Sequence, residues 1–251
     1  MASHFPTRYD PRMELLDRLQ FFSTLDLIAV TLLGLAWVGI GWIIERADAT
    51  HPSVSVIMAG YRREWMTQFV TREPRVFDAN ILANLRQSTN FFASTSMIGI
   101  GGGLALIGNK EQLLGIAQDL SLENAPAVVW EMKILIVILF LANGFLKFVW
   151  SHRLFGYCAV MLASVPNDAN DPACTPRAKQ AAEINITAAR SFNRGLRAVY
   201  FALGALAWLL GAIPLLVATA LTVLILWRRE FASHSRGVLL QGDGPENLTP
   251  S

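Results

Sequence analysis

Disulfides, clustered histidines and catalytic motifs are missing from this 251-residue sequence, and each absence excludes a class of protein. Two cysteines, Cys158 and Cys174, are too few for a disulfide-stapled secreted domain or a four-thiolate zinc site. The four histidines lack the helical spacing of a metal site, so we expect no metal and no other cofactor. No nucleophile-elbow or zinc-protease motif occurs, and we therefore expect a protein that is not an enzyme.

Charge is also scarce. Charged residues make up 16% of the chain, and 21 basic against 19 acidic residues leave a formal net charge of +2. This balance argues against a nucleic-acid-binding protein and against an acidic interaction tail. By contrast, 53% of the residues are hydrophobic and the mean hydropathy is +0.39. Soluble domains of this size are less apolar, so the chain is predicted to lie in a membrane.

Four apolar segments are long enough to cross a hydrocarbon core of about 30 Å, which takes roughly 20 helical residues. They are residues 27–44, 91–107, 128–150 and 198–227. The third contains charged residues whose long side chains must reach the interfaces. The fourth exceeds one straight crossing and contains Pro214, so a tilt or a kink at this proline is expected. Residues 154–165 are too short to span and are predicted to lie in the interface or to pack under the bundle; if they did cross, the protein would have five spans.

Apolar residues also recur at helical spacing outside the spans, over residues 53–90 and 176–197. These segments are predicted to form amphipathic helices that build a cap on one side of the membrane. The predicted fold is therefore an all-α polytopic membrane protein, a four-transmembrane-helix bundle with long cytoplasmic helical extensions. One membrane domain covers residues 25–233, between a polar segment at 1–24 and a disordered tail at 234–251.

The distribution of basic residues predicts the orientation. With four spans, the first and third loops share one side and hold thirteen Lys and Arg residues, against eight on the other side. Because Lys and Arg accumulate in cytoplasmic loops, we predict a multi-pass protein of the cell inner membrane with a cytoplasmic cap and both termini outside. Arg228 and Arg229, which directly follow the last span, point the opposite way.

Polar residues within or beside the spans are candidate functional residues, because charge in hydrocarbon is costly unless it is paired or hydrated. Helical spacing and charge group five of them into a predicted intramembrane polar lane: Asp26, Lys133, Asn143, Lys147 and Ser151. The alternative is that the two lysines extend to the interfaces and Asp26 caps the first helix.

Small residues on two spans predict close helix packing. Gly99 and Gly103 are four residues apart, as are Ala207 and Gly211, and such pairs let another helix backbone approach. For the glycine-rich second span, the alternative is the lining of a pore.

A further set of charged residues lies just outside the spans and is predicted either to contact lipid headgroups or to form ion pairs within the cap. Arginines at such positions usually face lipid phosphates. The members are Arg75, Asp78, Arg86, Arg190, Arg194 and Arg197.

Several long strings of residues resemble one family. They are FFAST at 91–95, KFVWSHR at 147–153, FNRGLRAVYFAL at 192–203 and RREF at 228–231, in that order. The sequence resembles the bacterial and plant membrane family catalogued as domain of unknown function 599, from about Leu25 to Ser233. Val149 and His152 stand where we would expect other residues. The resemblance implies an integral membrane protein and supplies no reaction, ligand or site residue.

Two classes of function remain open. The first is a non-catalytic scaffold or regulatory membrane component that holds a membrane protein partner, or a second copy of itself, through its glycine faces and cap. The second is a transporter or channel for a small solute or ion that uses the polar lane. The first is favoured, because lysines near the interfaces are thin evidence for a conduit. In both cases the predicted partners are the lipid bilayer and anionic lipid headgroups. We expect no binding to nucleic acid.

Overall fold

The computed structural model of the protein describes residues 21–46, 50–109, 111–113, 115 and 126–241. The α-helices that lie wholly within these residues are α1 (Thr24–Glu45), α2 (Val54–Phe69), α3 (Val76–Gly108), α4 (Ala127–Ala163), α5 (Cys174–Leu206), α6 (Ala212–Phe231) and α7 (His234–Leu240), the shortest. No strand occurs in the described part of the chain, which confirms the all-α fold.

Four segments of the described chain are long and apolar enough to cross a membrane, as predicted: α1, α3, α4 and the stretch Ala212–Leu240 that begins with α6. Large apolar side chains on their outer faces are exposed, including Val38, Ile98 and Leu146. A surface this apolar would be unstable in water but suits contact with lipid tails.

The start of α1 follows from the local sequence. At the start of α1, Asp26 N donates to Ser23 Oγ at 3.1 Å, and Ser23 N donates to the Asp26 carboxylate at 3.2 Å, which makes a capping box.

Residues 154–165 do not form a separate interfacial segment, because α4 continues through them as far as Ala163. The 37 residues of α4 extend about 55 Å, so α4 projects well beyond the hydrocarbon core.

The predicted fourth span, residues 198–227, is not one helix. α5 ends at Leu206, a 3-10 turn covers Ala207–Leu210, and Gly211 has a φ of +118°, which a glycine adopts without strain. α6 then runs back along α5, since Gly204 packs on Thr222 and Arg229 donates to the Tyr200 hydroxyl. Pro214 does not kink a long helix as expected. It lies in the first turn of α6, where a backbone N–H would have no helical partner.

α5 lies antiparallel to α4 at the depth of the membrane. Ser151 Oγ donates to the carbonyl of Ala188 at 2.7 Å, and Trp208 reaches Lys133, 5.8 Å from ring centroid to Nζ. Between these contacts Gly144 lies against the backbone of Gly195. The second half of α5 is thus a fifth helix in the same layer. Its polar first half lowers the hydropathy of the whole helix below that of a span.

This hairpin separates the two ends of the described chain. We call the end of the bundle that holds Asp26 and Trp208 the far end, and the opposite end, which carries the extended helices, the cap end. α6 and α7 finish at the cap end, where Ser55 N donates to Glu230 at 3.0 Å and Tyr61 donates to the Leu239 carbonyl at 3.1 Å. The described chain therefore starts and finishes at opposite ends of the bundle, which contradicts the prediction of both termini on one side.

The cap consists of α2 with the projecting parts of α3, α4 and α5. Arg63 pairs with Glu183, 2.7 Å from Nε to Oε1, and Arg62 donates to Asn185. Burial lowers the pKa of Arg62, which still stays protonated. Residues 234–240 form α7 where a disordered tail was predicted. Most of the predicted polar segment at 1–24 and the rest of the tail, 242–251, lie outside the described residues.

Candidate functional site

The residues of the predicted polar lane separate into two groups. Asp26 and Lys133 lie at the far end, close enough to attract each other, and Asp26 Oδ1 accepts from Trp208 Nε1 at 2.7 Å. Lys133 is 5% exposed, with Nζ 4.8 Å from the centroid of the Trp130 ring, a cation–π contact. This cluster holds the α5–α6 turn against α1 and α4.

The other lane residues lie at the cap end, in two different settings. Asn143 and Lys147 line a cavity, whereas Ser151 is fully buried and donates to the Ala188 carbonyl of α5. Ser151 therefore joins α4 to α5 and does not face the cavity.

An aromatic layer separates the two groups. Phe140 of α4 stacks on Phe201 of α5, with 6.1 Å between ring centroids, and meets Trp37 of α1 edge to face at 5.3 Å. Lys133 and Lys147 are fourteen residues apart on α4, or about 21 Å along its axis. The described residues therefore form no continuous polar lane.

The predicted packing residues also divide. Gly99 and Gly103 face α4, since an added Cβ would lie 3.0 Å from Leu141 and 2.9 Å from Ile138. Ala207 and Gly211, in contrast, make the turn between α5 and α6 and are not a helix-packing pair. The tightest contact was not predicted: a Cβ on Gly195 would lie 2.6 Å from the ring of Phe148. The signal in the sequence that could have indicated this contact is a glycine among the apolar residues Phe192, Ala198 and Val199 of the same helix.

A cavity of about 480 Å³ opens at the cap end between α1, α4 and α5. We call it the cap-end pocket. Its lining comprises Trp37, Val38, Gly41, Trp42, Glu45 and Arg46 from α1, Asn143 and Lys147 from α4, and Arg194 and Arg197 from α5. Helical spacing of three or four residues places each set on one face of its helix.

A shared carboxylate fixes the two arginines of the cap-end pocket. Arg194 Nε donates to both oxygens of Glu45, at 2.9 and 3.0 Å, and Arg197 Nη2 donates to Glu45 Oε1. The Arg197 side chain is 8% exposed, so it lies within the packed bundle. Gly41 lies beside it, since a Cβ at this position would be in contact with Arg197 Nε at 3.8 Å.

Cationic groups outnumber anionic ones in the lining of the pocket. Arg46, Lys147, Arg194 and Arg197 face one carboxylate, that of Glu45. Neither the Lys147 ammonium nor the Asn143 amide makes a hydrogen bond or ion pair with another described residue. The pocket therefore offers hydrogen-bond donors and positive charge that suit an anionic group.

The other charged residues predicted near the spans have different positions. Arg75 donates to the carbonyls of Val165 and Pro166 at 3.0 and 2.9 Å, so it joins loops inside the cap. Asp78 is buried and accepts from Trp65 and Arg72, which makes it part of the cap interior. Two residues of the set remain exposed at the cap end, without a partner among the described residues: Arg86 and Arg190.

Comparison with known proteins places the chain in a family. No curated protein and no solved structure matches it. One family model, described as protein of unknown function, matches residues 28–235, from α1 to the start of α7, and so includes every residue of the cap-end pocket. The chain belongs to this family, DUF599.

Proposed function

We propose that the protein is a non-catalytic membrane component that binds the anionic headgroup of a lipid in the cap-end pocket and thereby couples its cap to the lipid composition of the membrane. The observation that carries this proposal is the pocket itself, in which four cations face one carboxylate and the Lys147 ammonium has no partner among the described residues. Each basic residue near an anionic membrane surface contributes about 1 kcal/mol of attraction.

The depth of the pocket supports a headgroup as its ligand. Trp42, Trp150 and Trp227 are all exposed at the cap end, on three different helices. Tryptophan concentrates where headgroups meet acyl chains, so these three side chains mark that level. Glu45 and Arg46 end α1 close to Trp42, which puts the charged rim of the pocket at the same level.

The aromatic layer favours this function over transport. Phe140, Phe201 and Trp37 fill the space between the two polar groups, and an ion crossing this layer would lose its hydration without gaining polar contacts.

We further propose that the protein lies in the cell inner membrane with its cap on the cytoplasmic side. Every Lys and Arg residue that the structure describes, except Lys133, lies in the cap-end half of the molecule. The hairpin moves Arg228, Arg229 and Arg236 to this side, which makes the bias stronger than the one counted from four spans.

The test compares lipid binding by the purified full-length chain in detergent, with native mass spectrometry as the readout. Phosphatidylglycerol should be retained more strongly than phosphatidylcholine by the wild type, because only the former carries a net negative charge. Gly41→Leu should abolish this difference by filling the pocket. Gly39→Leu is the matched control, because a Cβ at Gly39 has no atom within 4 Å.

Two results would contradict the proposal. The first is equal retention of the two lipids by the wild type, or an unchanged preference in Gly41→Leu. The second is flux of a small solute or ion into reconstituted vesicles that the wild type supports and Lys147→Ala abolishes, which would instead identify a transporter.

A further inference from the structure

We infer that the lipid bound in the cap-end pocket carries a phosphomonoester headgroup, with two negative charges, and enters sideways from the bilayer. This inference rests on the proposed function and names the ligand class of the same site. Three observations carry it: the charge inside the pocket, the donors left over by Glu45, and the apolar side of the pocket that faces lipid.

The charge inside the pocket matches a dianion. Arg46 lies at the rim, with its guanidinium 5.0 Å from the centroid of the Trp42 ring. The other three basic side chains of the lining, Lys147, Arg194 and Arg197, outnumber the single carboxylate of Glu45 by two charges, with Arg194 half-exposed and Arg197 buried. A phosphomonoester carries about −1.5 to −2 at pH 7, as phosphoserine does, whereas a phosphodiester carries one charge. A monoester therefore neutralises the interior, while a diester leaves a cation unpaired in a half-buried site.

The remaining donors match the oxygens of a monoester. Arg194 uses Nε and Nη2 on Glu45, and Arg197 uses Nη2, which leaves Nη1 of both and Nε of Arg197. The Lys147 ammonium adds three N–H groups, and the Asn143 amide adds two more. A monoester presents three terminal oxygens to this set, one more than a diester, so more of the donors find a charged acceptor.

The walls of the pocket favour a lipid over free phosphate. Val38 and Trp42 on α1 line the pocket and are each more than 60% exposed, so they give it an apolar edge that suits acyl chains. On α1 the lining runs from Trp37 to Glu45, eight residues or about 12 Å along the helix axis. The headgroup layer is only about 5–7 Å thick on each side, so the lower part of the pocket lies at the depth of the acyl chains.

The experiment uses the full-length chain in phosphatidylcholine nanodiscs that contain a small, equal fraction of phosphatidic acid or phosphatidylglycerol. Retention of each lipid is measured by native mass spectrometry after release from the disc. We expect phosphatidic acid to bind about tenfold more tightly than phosphatidylglycerol. Lys147→Gln should reduce this ratio to about one to two by removing one cation, and Lys147→Arg should restore it. Lys179→Gln, on the exposed cap surface, is the control and should leave the ratio unchanged.

The outcomes separate this inference from the proposed function. Equal affinity for the two anionic lipids, both above phosphatidylcholine and both lost in Gly41→Leu, overturns the monoester and leaves headgroup binding intact. No preference for any anionic lipid overturns both. Inorganic phosphate or glycerol phosphate could also compete with phosphatidic acid at equal concentration. That result overturns the claim that the ligand is a lipid and identifies a soluble phosphate as the ligand. A preference for phosphatidic acid that Lys147→Gln does not change also overturns the inference.

Discussion

Replacing Gly195 by alanine should loosen the contact between α4 and α5 that positions the cap-end pocket. The added Cβ would lie 2.6, 2.9 and 2.9 Å from three atoms of the Phe148 ring, well inside normal contact distance. Phe148 is fully buried and cannot move aside easily, because it packs against Phe92 at 5.4 Å and Phe192 at 5.5 Å between ring centroids.

The expected size of the effect follows from two opposing terms. Overpacking a tight core costs about 1–3 kcal/mol, whereas alanine gains up to about 1 kcal/mol over glycine in a helix. The net loss for Gly195→Ala is therefore about 1–2 kcal/mol. In a thermal unfolding assay of the detergent-solubilised protein, this loss should lower the Tm by several degrees, at about 2–4 °C per kcal/mol for a chain of this size.

Gly156→Ala is the matched control, because Gly156 lies on α4 and an added Cβ there has no atom within 4 Å. Its Tm should equal or slightly exceed that of the wild type. In a Phe148→Leu background the ring that clashes is gone. Adding Gly195→Ala to Phe148→Leu should therefore lower the Tm less than Gly195→Ala lowers it in the wild type. If Gly195→Ala is as stable as Gly156→Ala, the close contact between α4 and α5 is not present in the folded protein.

Three further predictions concern the ends of the bundle. Glu45→Gln should lower stability by about 1–3 kcal/mol in the same unfolding assay, because Arg194 and Arg197 lose their shared charged acceptor; an unchanged Tm would contradict that pairing. Asp26→Ala should cost about 1–2 kcal/mol, since it removes the carboxylate that accepts from Ser23 N and from Trp208 Nε1, while Asp26→Asn keeps an acceptor oxygen and should lose less; equal losses would refute the role of these two hydrogen bonds. A reporter fused after Gln241 should lie in the cytoplasm and one fused before α1 outside, and finding both on one side would refute the α5–α6 hairpin.

The membrane character and most of the helices of this protein are predictable from the order of its residues. Uncharged runs of about 20 residues predict spans because the bilayer imposes that length, and α1, α3 and α4 contain the predicted segments. The four-residue spacing of Gly99 and Gly103 likewise reflects a contact between neighbouring helices, which the structure forms with α4.

The position at which the last apolar run reverses and the pairing of the charged residues depend on how the helices pack. Hydropathy is equally high on both arms of a hairpin, and a glycine at 211 and a proline at 214 fit a kinked span as well as a turn. The partners of the cap-end pocket come from three helices, with Glu45 about 150 residues away from Arg194 and Arg197 in the chain. Helical periodicity assigns each of these residues to a face of its own helix. Which faces then converge depends on how the helices pack, and close contacts such as that of Gly195 with Phe148 fix this packing.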